Sequence, residues 1–482
     1  MHLPYLAGTL LAGLAQASPA EVSPRQSETM LKVDMDIRKL NQRIDGFGFS
    51  EAFQRANNIV NLPEEKRAAL VDLLFNKTSG AGFTILRNGI GSSPDSSLDW
   101  MNTILPQSPG SPDAEPAYVW DGNDSGQLWV AQQAVKYGVE TFYADAWSAP
   151  GFMKTNGKDS GGGYLCGSPG QKCSSGDWRQ AYANYLVKLV QLYADSGVNI
   201  THLGFLNEPD MSTSYASMLM DGNQAADFIK ILHPTLEKNN LSDVQIACCD
   251  ATGWKAQQQI TRDMVAAGAE PLLGVVTGHT YSSGISGTQP TSLRVWETEC
   301  SDLKGHWSTA WDSDGGAGDG LTWAMNIYTG LTTGNVSAYL WWVGTQDPAT
   351  NNNNNEKLVL VDKDTYTVSK RLWAFAQYSR TVRPGAWRLD MLNDASNLKT
   401  TAFQNKDLTM AVNIINTGAS ATPVVISNTL IPARSAQAWV TDNTRDMDAV
   451  EVTVNPDGTV GGLSVPARSM VSLTIELASG LL

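Results

Sequence analysis

Between residues 45 and 380, short β-branched and aromatic runs alternate with segments whose apolar residues recur every three or four positions. The clearest helical stripe spans 178–195, where Tyr182, Tyr185, Leu186, Leu189, Val190 and Tyr193 share one face. The same pattern predicts strands at 45–49, 84–87, 141–144, 202–205, 244–248, 275–278, 293–296 and 338–341. Further helices are predicted at 65–75, 127–137, 225–237, 256–267, 321–331 and 369–379, with 284–290 a loop in place of a sixth helix. Eight strands alternating with helices make this an α/β chain, and a (β/α)8 TIM barrel fits better than an open sheet. No glycine fingerprint follows an early strand, so dinucleotide binding has no support.

Past Pro384 the period changes. The segments 386–388, 398–404, 409–415, 422–427, 436–441, 450–454 and 470–475 are short, β-branched and separated by Asn, Asp and Gly turns. They predict an attached antiparallel β-sandwich side domain. The alternating run 31–37 precedes the barrel and is expected to add to that sandwich. The polar run 351–355 reads as an exposed loop after the eighth strand. At the start, the apolar run 6–14 is too short to span a bilayer and is followed by Ala15-Gln16-Ala17, a signal-peptidase pattern. The expected division is a signal peptide at 1–17, a segment of the sandwich at 18–44, the catalytic barrel at 45–383 and the β-sandwich at 384–482.

Composition narrows the function. With 42% hydrophobic and 17% charged residues the 482-residue chain is not a disordered one. A net charge of −14 argues against nucleic acid and anionic membrane as partners. Fifteen Trp against 11 Phe suggests surfaces that stack on sugar rings. Sequons at Asn76, Asn123, Asn199, Asn240 and Asn335 are glycan acceptors if the chain is exported from a eukaryotic cell. Cys166 and Cys173 flank a Gly/Pro loop and form a candidate disulfide, while the pairing of Cys248, Cys249 and Cys300 stays open. No metal or cofactor motif is present, and the expected state is a monomer.

Barrel enzymes carry their chemistry at the C-terminal ends of the strands. Here those ends hold two carboxylate sites amid aromatic residues, as glycoside hydrolysis requires: one carboxyl stays protonated, the other ionised. Glu208, in Asn207-Glu208-Pro209 after strand four, is the acid/base candidate. Glu297 and Glu299 compete on strand seven; two apart, they are expected to face the same way. Glu299 is preferred because it lies nearer the rim, with Glu297 deeper and paired to Arg87 or another cation. Trp147, Tyr281 and Trp342 are candidate sugar platforms, with an ordinary core aromatic as the alternative for each. His279 is a candidate for holding a sugar hydroxyl or the nucleophile, and Arg87 for orienting a carboxylate. Arg55, just past strand one, has the fork geometry for a uronic-acid branch, or for a salt bridge within the protein.

Ile44-Asp45-Gly46-Phe47-Gly48, Arg87, Trp147-Ser148-Ala149-Pro150, Asn207-Glu208-Pro209, His279-Thr280-Tyr281 and Trp296-Glu297-Thr298-Glu299, in this order, resemble glycoside hydrolase family 30. The likeness runs from about residue 30 to 480, and its details resemble the fungal subfamily 7 xylanases. The resemblance implies a retaining mechanism with Glu208 as acid/base and Glu299 as nucleophile. It implies a secreted β-1,4-xylanase acting on glucuronoxylan, with Arg55 meeting the uronate. The insertion 91–124, which contains Trp100 and Asn102, is expected to close one end of the cleft and favour xylobiose release. The alternatives are a β-1,6-glucanase or galactanase of the same family, or a non-catalytic carbohydrate-binding barrel.

Overall fold

The computed structural model describes residues 28–94, 101–392 and 397–478; the expected signal peptide at 1–17 and Trp100 lie outside them. Eight parallel strands close on themselves: β1 (Gly46–Ser50), β2 (Ile85–Ile90), β3 (Thr141–Ala146), β4 (His202–Gly204), β5 (Gln245–Ala251), β6 (Val275–His279), β7 (Arg294–Glu299) and β8 (Ala338–Gln346). β8 pairs with both β7 and β1, which completes the barrel. Outside it lie α1 (Glu64–Phe75), α2 (Gln127–Lys136), α3 (Arg179–Asp195), α4 (Gly222–Lys238), α5 (Trp254–Ala266), α6 (Gly320–Thr332) and α7 (Lys370–Ser379). No helix separates β6 from β7, as the loop reading of 284–290 anticipated. None of the described helices is long and apolar enough to cross a membrane.

The layers follow from side-chain alternation. Ile85, Tyr143, Ala247, Val275, Trp296, Ala338 and Leu340 fill the barrel interior as one buried cluster. The opposite faces of the strands pack against the helices, including the Tyr182–Tyr193 stripe of α3. α4 starts at a capping box in which Asp221 accepts from Gln224 N and the Gln224 side chain answers Asp221 N.

The second sheet contains Thr29–Asp34, so the N-terminal run does join the C-terminal strands. It pairs antiparallel with Trp387–Met391 and parallel with Thr422–Asn428; the sandwich is therefore not wholly antiparallel. The strand Val460–Val465 escaped the pattern because Gly461 and Gly462 dilute its β signal. The polar run after β8 departs from the expected exposed loop. Asn354 and Asn355 are buried and pair with Asp302–His306, and Asn355 Nδ2 donates to Asp302 Oδ2 at 3.0 Å. Asparagine amides can replace water when both ends find partners. Cys166 is bonded to Cys173 and Cys248 to Cys249, leaving Cys300 free and buried.

Candidate active site

Arg87 was expected at the end of its strand, but β2 continues to Ile90 and carries this residue inside the barrel, fully buried. Its Nη1 donates to Glu299 Oε2 at 2.5 Å. Its Nη2 donates to Asp145 Oδ2 at 2.8 Å and to Asn207 Oδ1 at 2.5 Å. The Trp147 ring lies over the guanidinium, 4.6 Å from its carbon to the ring centre. Burial opposes the charge, but Glu299, Asp250 and Asp145 outweigh burial and raise the guanidinium well above its ordinary pKa.

Asp250, the next-to-last residue of β5, joins the two carboxylate sites. Tyr143 Oη and Thr298 Oγ1 donate to its oxygens. His279 Nε2 and Arg87 Nη2 lie 3.5 and 3.6 Å away, and its carbonyl accepts Glu208 N at 2.8 Å. Burial disfavours its ionised form, yet Arg87 and His279 hold it well below the usual carboxylate range. Asp145 goes the other way: burial, then the neighbouring Asp250 charge, raises it well above that range. Such a pair holds one proton between two acids. Neither Asp145 nor Asp250 was anticipated, because the predicted strands stop at 144 and 248. An acidic residue continuing the alternation of an apolar strand was the available signal.

His279 is buried between the acids, with Nδ1 3.2 Å from Glu208 Oε1 and Nε2 3.7 Å from Glu299 Oε2. Burial disfavours its protonation, but Glu299, Asp250 and Glu208 together raise its pKa well above the ordinary histidine value. Both ring nitrogens then carry protons and serve the acids on either side. Glu208 is itself raised by burial, against the opposing hydrogen bond to His279. Glu208 and Asp250 adopt left-handed backbone conformations, φ 46° and 54°. For non-glycine residues this strain costs about 1–3 kcal/mol each and is typical of functional turns.

The two strand-seven acids do not behave as a period-two pair. β6 and β7 slip register, pairing Gly278 with Glu297 but His279 with Glu299. Glu299 meets Arg87, whereas Glu297 accepts from Thr280 Oγ1 at 3.0 Å. The expected Glu297–Arg87 pairing is absent from the described contacts. Burial instead pushes Glu297 up to about 8, so it is a neutral acid at mild pH.

Above these groups opens a cavity of about 460 Å³, lined by both Glu208 and Glu299 and by Phe53, Arg55, Trp147, Tyr215, Tyr281 and Trp342. Phe53 was missed by the sequence reading; it meets Trp147, Tyr215 and Trp342 edge-on at 5.1, 5.6 and 6.1 Å. Its φ of 58° turns the chain after β1 so that Arg55 also reaches the cavity wall. Arg55 Nη1 donates to Phe53 O at 2.8 Å. Asn207 Nδ2 is buried without a hydrogen-bond partner, next to Arg87. Asn102 was expected at the cleft, but it bridges to Ser93 and does not line this cavity. Met101 beside it packs with Phe53, Trp147 and Trp342 instead. Glu208, His279 and Glu299 offer atoms within 4.8 Å of one another, a span that would suit a cation. The Arg87 guanidinium on Glu299 and the charge favoured on His279 already occupy that electrostatic role, so these residues do not fit a metal set.

Residues 44–380 match the profile of glycosyl hydrolase family 59, and residues 385–473 match the glycosyl hydrolase family 30 beta sandwich domain. The catalytic domain of the GH30 xylanase C from Talaromyces cellulolyticus superposes with a TM-score of 0.86 at 44% identity, over 93% of this chain and 100% of that one. The endo-1,6-beta-D-glucanase BGN16.3 of Trichoderma harzianum is 23% identical over 479 residues, 89% of this chain and 90% of the relative. The lysosomal acid glucosylceramidase of Mus musculus is 21% identical over 443 residues, 86% and 82% of the two chains. The barrel profile and the sandwich profile carry different family numbers, and the solved relative that spans both domains decides between them. With its barrel and sandwich matched together at that identity, the chain belongs to glycoside hydrolase family 30.

Proposed function

We propose that this glycoside hydrolase is a secreted, retaining β-1,4-xylanase acting on glucuronoxylan. The likeness to a family 30 xylanase over 93% of the chain at 44% identity is the observation that carries the substrate. Retention is supported by the close approach of Glu208 and Glu299, whose nearest ligand atoms lie within 4.8 Å. Retaining pairs sit about 5–5.5 Å apart, and inverting pairs leave about 6.5–9.5 Å for a water. Export is supported by the 6–14 apolar run and by exposed sequon asparagines at 123, 199, 240 and 335.

In this reading Glu299 attacks the anomeric carbon while Glu208, kept protonated by burial, gives its proton to the departing oxygen. The glycosidic C–O bond breaks and a glycosyl ester forms on Glu299. Glu208, now ionised, takes a proton from water, and the resulting attack releases the sugar. Arg87 orients Glu299 and makes it a better leaving group in this second step. His279 follows the charge on Glu208 through its Nδ1 contact. Asn207, whose Oδ1 accepts from Arg87, is assigned in this reading to a sugar hydroxyl beside the nucleophile through its unpartnered Nδ2. Arg55 meets a uronate branch from the cavity wall, and the 91–124 insertion, whose Met101 packs with Phe53, Trp147 and Trp342, closes one end of the cleft and favours xylobiose release.

Parallel digestion of glucuronoxylan, unbranched xylan and β-1,6-glucan, with products identified by mass, tests the reading. Aldouronic products with a fixed branch position, reduced in Arg55→Ala, and xylobiose from the unbranched chain are expected. Products from β-1,6-glucan alone would replace xylan by the substrate named for the Trichoderma relative.

A further inference from the structure

The catalytic cavity has two unlike sides. Arg55 and Trp342 line it from the loop after β1 and from β8, strands that pair with each other. Met211, Thr252 and Ser282 line it from the segments after β4, β5 and β6, across the barrel. Glu208 belongs to this second side. Met211 N donates to Glu208 O at 3.0 Å, and Glu208 N donates to the carbonyl of Asp250, two residues before Thr252, at 2.8 Å. A group that protonates the glycosidic oxygen has to stand beside the sugar that leaves with that oxygen. Met211, Thr252 and Ser282 therefore border the departing half of the substrate.

On that side a chain of hydrogen bonds has a fixed direction. The Asp210 carboxylate accepts Thr252 N at Oδ1, 3.0 Å away, and the Thr252 hydroxyl at Oδ2, 2.6 Å away. A threonine hydroxyl has a single proton. With that proton directed to Asp210, the 3.0 Å contact between Thr252 Oγ1 and Ser282 Oγ runs from serine to threonine. Ser282, which is exposed, then has no proton left to give, and its oxygen offers only lone pairs. The backbone fixes its place independently, since Tyr281 N and Ser282 N both donate to Thr252 O at 3.0 Å. A preset acceptor on a cavity wall selects a donor, and a pyranose carries hydroxyls around its rim. Met211 and the Tyr281 ring, which line the cavity beside it, supply apolar surface for the sugar ring.

We propose that Asp210, Thr252 and Ser282 build the subsite for the departing sugar, where Ser282 Oγ accepts a hydroxyl of the pyranosyl unit that leaves with the proton of Glu208. This assignment rests on the xylan reading for the identity of that unit, a xylosyl residue. Ser282 touches the leaving sugar, and Asp210 and Thr252 are positioning residues that act through it.

A substrate with a departing sugar and one without it separate the two halves of the cleft. Cleavage of xylotetraose expels a sugar, whereas cleavage of an aryl β-xylobioside expels a phenol that has no sugar hydroxyls. In Ser282→Ala and in Thr252→Val, kcat/KM should fall at least about threefold more for xylotetraose than for the aryl xylobioside, the scale of one hydrogen bond. Thr252→Ser keeps the hydroxyl chain and should restore the wild-type ratio. Turnover of the aryl glycoside reports in the same assay that each variant is folded. Equal losses on the two substrates would mean a general structural role, and no loss on either would mean an idle loop; both overturn the proposal. If the wild type cleaves neither xylo-substrate but cleaves the β-1,6-linked glucotetraose, the xylan reading fails. The same ratio, taken between that glucotetraose and an aryl β-gentiobioside, then decides the subsite by itself.

Discussion

At the scale of single residues, the site works by setting neighbouring acids to opposite protonation states. Asp250 is held ionised by Arg87 and His279 despite burial, while Asp145 beside it and Glu297 nearby are held neutral by burial. Asp250→Asn keeps the shape but removes the charge that faces His279 Nε2. The expected result is a fall in kcat on the order of 10²–10³-fold, the scale of losing one preorganised polar group. The alkaline limb of the kcat profile should also move to lower pH, since the ring gives up its proton more readily. An unmoved profile would reduce Asp250 to a packing role. Glu297→Gln is the contrasting case. A glutamine oxygen still accepts from Thr280 Oγ1, and a side chain with its pKa at about 8 carries no charge to lose in mild acid. Activity should change less than about threefold. Native Glu297 binds its proton more tightly than the unfolded chain, whose pKa is near 4.5, so wild-type stability falls between that pH and about 8. Glu297→Gln removes this loss, and its Tm advantage over wild type should grow from pH 5 to pH 8.

At the scale of elements, the alternation of apolar and polar positions was enough to place all eight barrel strands, the absent sixth helix and the α3 stripe. What it could not place was where strands end and slip. β3 and β5 each run two or three residues beyond the β-branched signal, into Asp145 and Asp250, because barrel pairing carries acidic residues that local propensity would exclude. The register slip opposite Gly278 separated Glu297 from Glu299, and no single-strand pattern reveals a slip that depends on the partner strand. Asn102 fell away from the cleft for a related reason: its position depends on a bridge to Ser93. The short strand β4 shows how closely such pairing is fitted. A Cβ at Gly204 would lie 2.1 Å from Asp145 Oδ1 and 2.6 Å from Tyr143 Oη. Gly204→Ala must therefore push Asp145 off Arg87. It should cost about 1–3 kcal/mol in urea unfolding, the scale of overpacking, and lower kcat/KM at least tenfold by releasing the guanidinium that orients Glu299.

At the scale of the whole molecule, barrel and sandwich share one apolar core in which Phe403, Ala411, Ile415 and Met470 of the sandwich pack with the barrel helices. Gln377 on α7 fastens the joint, donating to Thr441 Oγ1 at 2.7 Å and accepting from Ser472 Oγ at 2.5 Å. Stability should therefore respond to pH as one cooperative unit, and its direction follows from the buried acids. Burial raises Glu51, Asp145 and Glu208, and lifts Asp124 to about 6 and Glu297 to about 8. In each the folded chain holds its proton at a pH where the unfolded chain has lost it, so folding weakens as pH rises through that interval. His279 acts in the same sense: its raised pKa gives stability that is full below the ordinary histidine value and is lost as pH climbs toward the folded one. The net charge of −14 at neutrality adds self-repulsion that also grows with pH. Lys154 opposes the trend, because burial lowers it to about 7 and its unfolded form binds protons up to its ordinary 10.5, but that opposition operates only above about 7. At the acid end Asp250, held ionised in the fold, loses its contribution once pH falls below the usual carboxylate range. The Tm should accordingly peak near pH 5, about where carboxylates in the unfolded chain have just ionised, and decline steadily to pH 8. A Tm measured across that range that is flat, or that rises toward pH 8, would mean that the buried acids are ionised in the folded protein, and with them Glu208.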